Sequence, residues 1–200
     1  MNFIEFENEL NGYLKIGDIE NAILISEEKL KSLRETNFHK ILGRNLLNLS
    51  PKLFEFIDNF YLESENELDG NLKAISCELI GITINYDLWY INLFAFSTLD
   101  EDDNLECWLS EYDFECDKEF IISGLEDIQK VYEDYMKNKG WNESDDLQTQ
   151  LDLSEIIIVL RLQELFKVTL EKAKENNKKW SQIPIFINGH DNSLICEFNK

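Results

Sequence analysis

Ten carboxylates and a single amine, Lys118, fall between Asp100 and Glu119. They begin as Asp100, Glu101, Asp102 and Asp103 and continue with Glu106. Glu111, Asp113, Glu115 and Asp117 then alternate with Tyr112, Phe114 and Cys116. Side chains of an extended strand alternate, so these four acids are expected on one face, with neighbours about 6.5–7 Å apart. Such a row repels itself, and a counter-surface of Lys and Arg relieves the repulsion. The chemistry is therefore capture of cations, with Trp108 as an apolar contact inside the segment, because aromatic side chains often anchor interfaces. The alternative is a solvated edge strand kept charged against aggregation.

Other chemistries find less support. Asp100, Asp102, Asn104, Glu106 and Glu111 have the spacing of EF-hand calcium ligands, but Leu105 stands where the sharp turn requires Gly, and the flanks read as strands. His190-Asp191 lies in a polar turn, and the other histidine, His39, is far away in sequence. Metal and triad chemistry both need more partners than that. Cys77, Cys107, Cys116 and Cys196 form no C-x-x-C pair and read as buried free thiols. Ser181 and Ser193 lack a nucleophile-elbow context, and no Gly-rich phosphate loop is present. The expectation is a chain with no catalytic residues, no bound metal and no cofactor.

The elements that must hold the acidic segment follow from hydrophobic period. Phe3, Phe6, Leu10 and Leu14 predict a helix over 2–15, ending near Gly17. Asp18 can cap a second helix reaching about Thr36, and 38–49 reads as a short third. Ser50-Pro51 reads as N-cap and first turn of a helix to about Ser64. Strand signals occupy 72–84 and 88–97, joined by Asn85-Tyr86-Asp87, then 105–114 and 120–122. A helical stripe follows Gly124 and stops at Lys139-Gly140. Residues 141–150 read as a loop, and Ser154 as the cap of the longest helix, apolar on more than one face. Short strands are expected at 183–187 and 194–198. The fold class is α+β: a central antiparallel sheet packed against several helices, with a helical part at 1–66, the sheet at 72–123 and a long C-terminal helix within 124–200. One domain is the expectation for 200 residues.

Charge narrows the partners. The net charge is −21, and it is concentrated: residues 1–70 carry 14 acids and 7 bases, 71–150 carry 19 and 5, and 151–200 carry 7 of each. Phosphate backbones and anionic membranes are repelled by such a field, which argues against both, whereas a basic protein is steered in. No apolar run has transmembrane length, and Met1-Asn2-Phe3-Ile4-Glu5 lacks the features of a signal peptide, so a cytoplasmic location is expected. Exposed strand edges leave homodimerisation open.

The strand Trp89-x-Ile91-x-Leu93-x-Ala95-Phe96, leading to Asp100–Asp103 and Cys107-Trp108-Leu109, resembles the small acidic immunity proteins encoded beside bacterial polymorphic and contact-dependent toxins. The likeness lies in size, acidity and α+β order, and covers about residues 72–136. It implies a cytoplasmic, non-enzymatic inhibitor that binds one cognate toxin, often a basic nuclease. The expected binding residues are Asp100, Glu101, Asp102, Asp103, Glu106, Trp108, Glu111, Asp113, Glu115 and Asp117. The runner-up is a non-catalytic adaptor for another basic protein. A third class, a hydrolase using His190 and Asp191, requires a cleft around them.

Overall fold

The computed structural model describes residues 3–82, 88–99, 108–190 and 193–199. α1 (Phe3–Lys15) buries the predicted stripe of Phe6, Leu10 and Leu14. α2 (Ile19–Lys31) is capped by Asp18, whose carboxylate accepts from the Asn21 backbone at 3.3 Å and side chain at 2.7 Å. It ends at Lys31, short of the expected Thr36. The helix expected over 38–49 is instead two 3-10 turns, Asn37–Ile41 and Leu47–Leu49. Gly43 between them has φ 70°, a left-handed conformation that interrupts helical propagation. His39 serves the first turn, its Nδ1 accepting from the Thr36 N–H at 3.1 Å.

α3 (Ser50–Glu67) carries Pro51 in its first turn, but Leu49 occupies the capping position. The Ser50 hydroxyl is drawn inward instead, accepting from Lys172 Nζ at 3.0 Å and lying 3.1 Å from the Thr169 hydroxyl. Strands β1 (Ala74–Ile80), β2 (Tyr90–Phe96), β3 (Phe114–Glu115) and β4 (Phe120–Ile121) follow. Then come α4 (Glu126–Lys137), α5 (Asp145–Glu175), β5 (Ile185–Gly189) and β6 (Cys196–Phe198). The expected start of the longest helix is corrected. Ser144 is the cap, accepting from the Leu147 N–H at 3.2 Å, and Asp145 and Asp146 favour the positive end of the dipole. Ser154 is buried inside the helix.

The sheet order is β3-β2-β1-β5-β6, with β4 also pairing with β2. The α+β class and the long C-terminal helix are as expected; the sheet is mixed rather than antiparallel throughout. β1 and β2 are antiparallel, whereas β5 runs parallel to β1, with Ile75 opposite Ile185 and Glu78 opposite Asn188. The long connection through α4 and α5 lets β5 re-enter the sheet in the direction of β1. The third strand also shrinks. Trp108 and Leu109 form a helical turn, and pairing with β2 is confined to Phe114–Glu115.

The helices α1 to α5 share one apolar core with one side of the sheet. α5 packs against α2, α3 and β5, and five consecutive residues of it, Ile156, Ile157, Ile158, Val159 and Leu160, are buried. Burial of every residue over more than a full turn is what its all-round apolar surface predicts. The side chains of Ile75, Cys77, Leu79, Ile91, Leu93, Ala95, Ile185 and Ile187 meet this layer from the sheet. Between α2 and α5, Arg161 Nη2 reaches Glu27 Oε1 at 2.8 Å, and the Gly43 N–H donates to the same oxygen at 3.0 Å. Among the described residues, no helix is long and apolar enough to cross a membrane.

Candidate functional site

Alternation turns the opposite face of the sheet away from α1 to α5. Register puts Ala74, Ser76 and Glu78 of β1 beside Phe96, Phe94 and Asn92 of β2, and Ser76 and Glu78 beside Phe186 and Asn188 of β5. This face divides in two. One end is a small aromatic cluster, in which Trp108 closes over Phe96 and Phe186 with ring centroids 4.4 and 5.3 Å apart. The other end is a polar row, Asn188–Glu78–Asn92, running across three strands.

Above that row lies a trough of about 660 Å³. Ser76, Glu78, Phe94 and Asn188 form its floor; Leu109, Ser110 and Tyr112 make one wall, and His190, Ser193 and Ile195 the other. Each wall is anchored. Buried Gln163 of α5 donates to the Ile187 and Leu194 carbonyls at 3.2 and 2.8 Å, and Ser193 donates to Glu7 of α1 at 3.2 Å. On the opposite side the Asp113 carboxylate accepts from the Ser97 N–H at 2.6 Å and its hydroxyl at 2.8 Å, while the Asp113 N–H donates to Ala95.

One carboxylate lies in the trough and a second stands beside it, opposite Phe94 in the β2–β3 register. Glu78 is three-quarters buried, with Oε1 2.8 Å from His190 Nδ1. Glu115 accepts from the Tyr112 hydroxyl at 3.2 Å and from Asn92 Nδ2 at 3.1 Å. The Glu115 hydrogen bond and charge hold the Tyr112 phenol above its ordinary pKa, with smaller contributions from burial and from the charge of Glu78. The Tyr112 ring tilts onto Phe94 at 4.6 Å. Among the described residues, no lysine or arginine lines the trough.

The predicted binding residues are dispersed relative to expectation. Asp100, Glu101, Asp102, Asp103 and Glu106 lie outside the described residues, and with them most of the EF-hand-like segment and Cys107. Glu111, Asp113, Glu115 and Asp117 are exposed but do not form one stripe. Glu115 sits at the rim of the trough, Asp113 is committed to Ser97, and Asp117 lies with Glu63 and Lys118 on another concavity. Tyr112 likewise parts from Phe114 and Cys116. It stands on the outer face, whereas Phe114 stacks on Phe60 and Cys116 joins the main core. The cause is the shortness of β3: two paired residues do not impose a period on seven. Trp108, expected as a partner contact, is only 6% exposed, because Phe96 and Phe186 give its indole an apolar seat.

His190 does line a cleft, paired with Glu78; its expected partner, Asp191, lies outside the described residues. Cys77, Cys116 and Cys196 are buried and free, as their pattern predicts. Among the described residues no group of three or more His, Cys, Asp or Glu could hold a metal. Sequence reasoning missed Ser76, Glu78, Asn92 and Asn188. Their signal was present as polar interruptions of apolar strands, on the face that alternation assigns away from the helices. Comparison with protein-family models, with curated proteins and with solved structures returns no match.

Proposed function

We propose that this chain is a non-enzymatic inhibitor of the immunity-protein class, which binds a basic protein partner, a toxin domain, through the sheet face that α1 to α5 leave uncovered. The observation that carries the reading is the trough itself: a walled concavity with Glu78 on its floor and Glu115 beside it, on a chain of net charge −21. A field of that sign steers a cationic surface in, and the concavity fixes where it docks. Exposed Glu111 and Asp117 add to the field, Asp117 from the separate concavity that it shares with Glu63, and Asp100 to Asp103 and Glu106 precede Glu111 in sequence.

The test is affinity and its salt dependence for the product of the adjacent open reading frame. A Glu111→Lys/Glu115→Lys/Asp117→Lys variant is expected to bind about tenfold more weakly or worse, with a shallower salt dependence. Asp113 is left intact because it braces Ser97. Unchanged affinity and unchanged salt dependence would reject this surface, and a neighbourhood with no toxin gene favours an adaptor for another basic protein. The His190–Glu78 pair favours a second reading, proton transfer to a ligand in the trough, since a carboxylate that orients an imidazole prepares it for acid–base work. A hydrolytic activity abolished by His190→Ala in a folded protein would select it.

A further inference from the structure

The charged lining of the trough is of one sign: Glu78 stands on its floor, Glu115 lies beside Tyr112 at its edge, and no lysine or arginine lines it among the described residues. Glu78 is hydrogen-bonded to His190 through Oε1. Next to the trough, Asn92 donates one amide hydrogen to Glu115 and so helps to hold that carboxylate beside Phe94. Ser76, 3% exposed, adds a hydroxyl oxygen to the floor. Tyr112 points its only proton at Glu115. A carboxylate on the floor of a cavity, with a second beside it and no counter-charge in the lining, suits a ligand that brings donors and positive charge together. Shape adds a constraint, because the Tyr112 ring on one wall and the Phe94 ring on the floor offer aromatic surface next to the carboxylates.

We propose that the trough is a socket for a single arginine side chain of the partner, its guanidinium set against Glu78 and Glu115 and its plane against the Tyr112 and Phe94 rings. This rests on the protein-binding reading above and names its recognition chemistry. A guanidinium carries five N–H donors and no acceptor, is always charged, and stacks on aromatic faces. Lysine supplies three donors on a compact, strongly hydrated ammonium and gains less from a flat wall. The volume, about 660 Å³, takes a long side chain together with some of the backbone that bears it.

The experiment is an amide NMR titration of the ¹⁵N-labelled chain with Nα-acetyl-arginine methylamide, with the lysine and citrulline analogues as comparisons, at physiological ionic strength. Citrulline keeps the shape of arginine and removes the charge. The expected result is a set of shifts confined to residues 76–78, 92–94, 110–115 and 188–190. Affinity for arginine should exceed that for lysine and be at least about fivefold above that for citrulline, in line with a charge-assisted contact. Glu78→Gln and, independently, Glu115→Gln should each weaken the arginine probe several-fold, whereas Asp117→Asn should not. The spectrum of each variant reports whether it is folded, and Glu115, being exposed, serves if Glu78→Gln disturbs the sheet. Shifts scattered over the acidic surface, or equal affinity for arginine and citrulline, would overturn the socket. A basic partner that binds while the arginine probe stays out of the trough refutes this inference and leaves the function standing. A probe that binds here in a chain with no basic partner does the reverse.

Discussion

Replacing Arg161 by Met should cost this fold about 3 kcal/mol, toward the low end of what breaking a buried ion pair costs. Arg161 and Glu27 are 14% and 9% exposed, and removing the guanidinium leaves a carboxylate in the core between α2 and α5. Glu27 keeps the Gly43 N–H and the Lys31 ammonium, but Lys31 is half exposed and such a pair contributes well under about 1 kcal/mol. Met preserves most of the packing of the arginine stem, so the loss reports the charge. With an unfolding entropy of about 2.1 cal/mol/K per residue, a loss of about 3 kcal/mol lowers Tm by about 7 °C in a chain of this size. Urea unfolding followed by circular dichroism should give a lower midpoint with the same slope. The pH dependence adds a sign. Burial pushes the Glu27 carboxyl up, yet the Gly43 N–H, Arg161 and Lys31 more than reverse this and hold its pKa below the ordinary 4.5. A group depressed in the folded state stabilises the fold above its unfolded pKa and loses that contribution as pH falls through its folded pKa. In the Arg161→Met protein the deficit should therefore shrink below about pH 4.5, where a protonated Glu27 needs no counter-charge. A loss at neutral pH under about 1 kcal/mol, or a deficit that stays constant into acid, would refute the reasoning.

Three further outcomes follow from packing. Gly140→Ala should destabilise by about 1–3 kcal/mol in thermal denaturation, the range for overpacking. The added Cβ would fall well inside contact distance of Cδ2 and Cε2 of Tyr135, a ring already packed edge-on against Phe38. A Tm within about a degree of the parent would mean that the ring moves aside freely. Trp108→Ala empties the outer-face aromatic cluster and should cost about 3 kcal/mol in a urea titration, whereas a partner-facing tryptophan would lose affinity and leave stability unchanged. In a Cys107→Ser background, the three remaining thiols are buried, with Cys77 raised by burial and Cys196 pushed up to about 12. They should resist a disulfide reagent at about pH 8 when folded and react fully in denaturant; fast reaction of the folded chain would contradict their burial.

What was legible in the sequence were the features decided locally. The Asp18 cap, the stripe of α1, the apolar strands β1 and β2 and the all-round apolar surface of α5 follow from period and composition, and each is present. What escaped was decided at a distance. Nothing near Ile185 says that it will lie parallel to Ile75, and nothing near Ser144 outweighs Ser154 as a cap until the helix is seen to start at Asp145 and run on through Ser154. The alternation of Glu111 to Asp117 was a true pattern with a false consequence. Trp108 finds Phe96 and Phe186, Asp113 finds Ser97, and these tertiary attachments override the two-residue period. Of the candidate site, sequence pattern points to Glu115 and His190. Glu78, Asn92 and Asn188 are isolated polar positions in apolar strands, and their meaning appears only when the three strands stand side by side.

That juxtaposition sets an order of events. The wall carrying His190 and Ser193 exists only after β5 has inserted next to β1, a contact that joins distant parts of the chain and so forms late and slowly. A nascent chain that has already made β1, β2 and Tyr112 owns half of the trough and no facing wall. A partner that needs both walls, as the one proposed above does, would find them only in molecules whose synthesis has passed Ser193 and whose parallel ladder has closed.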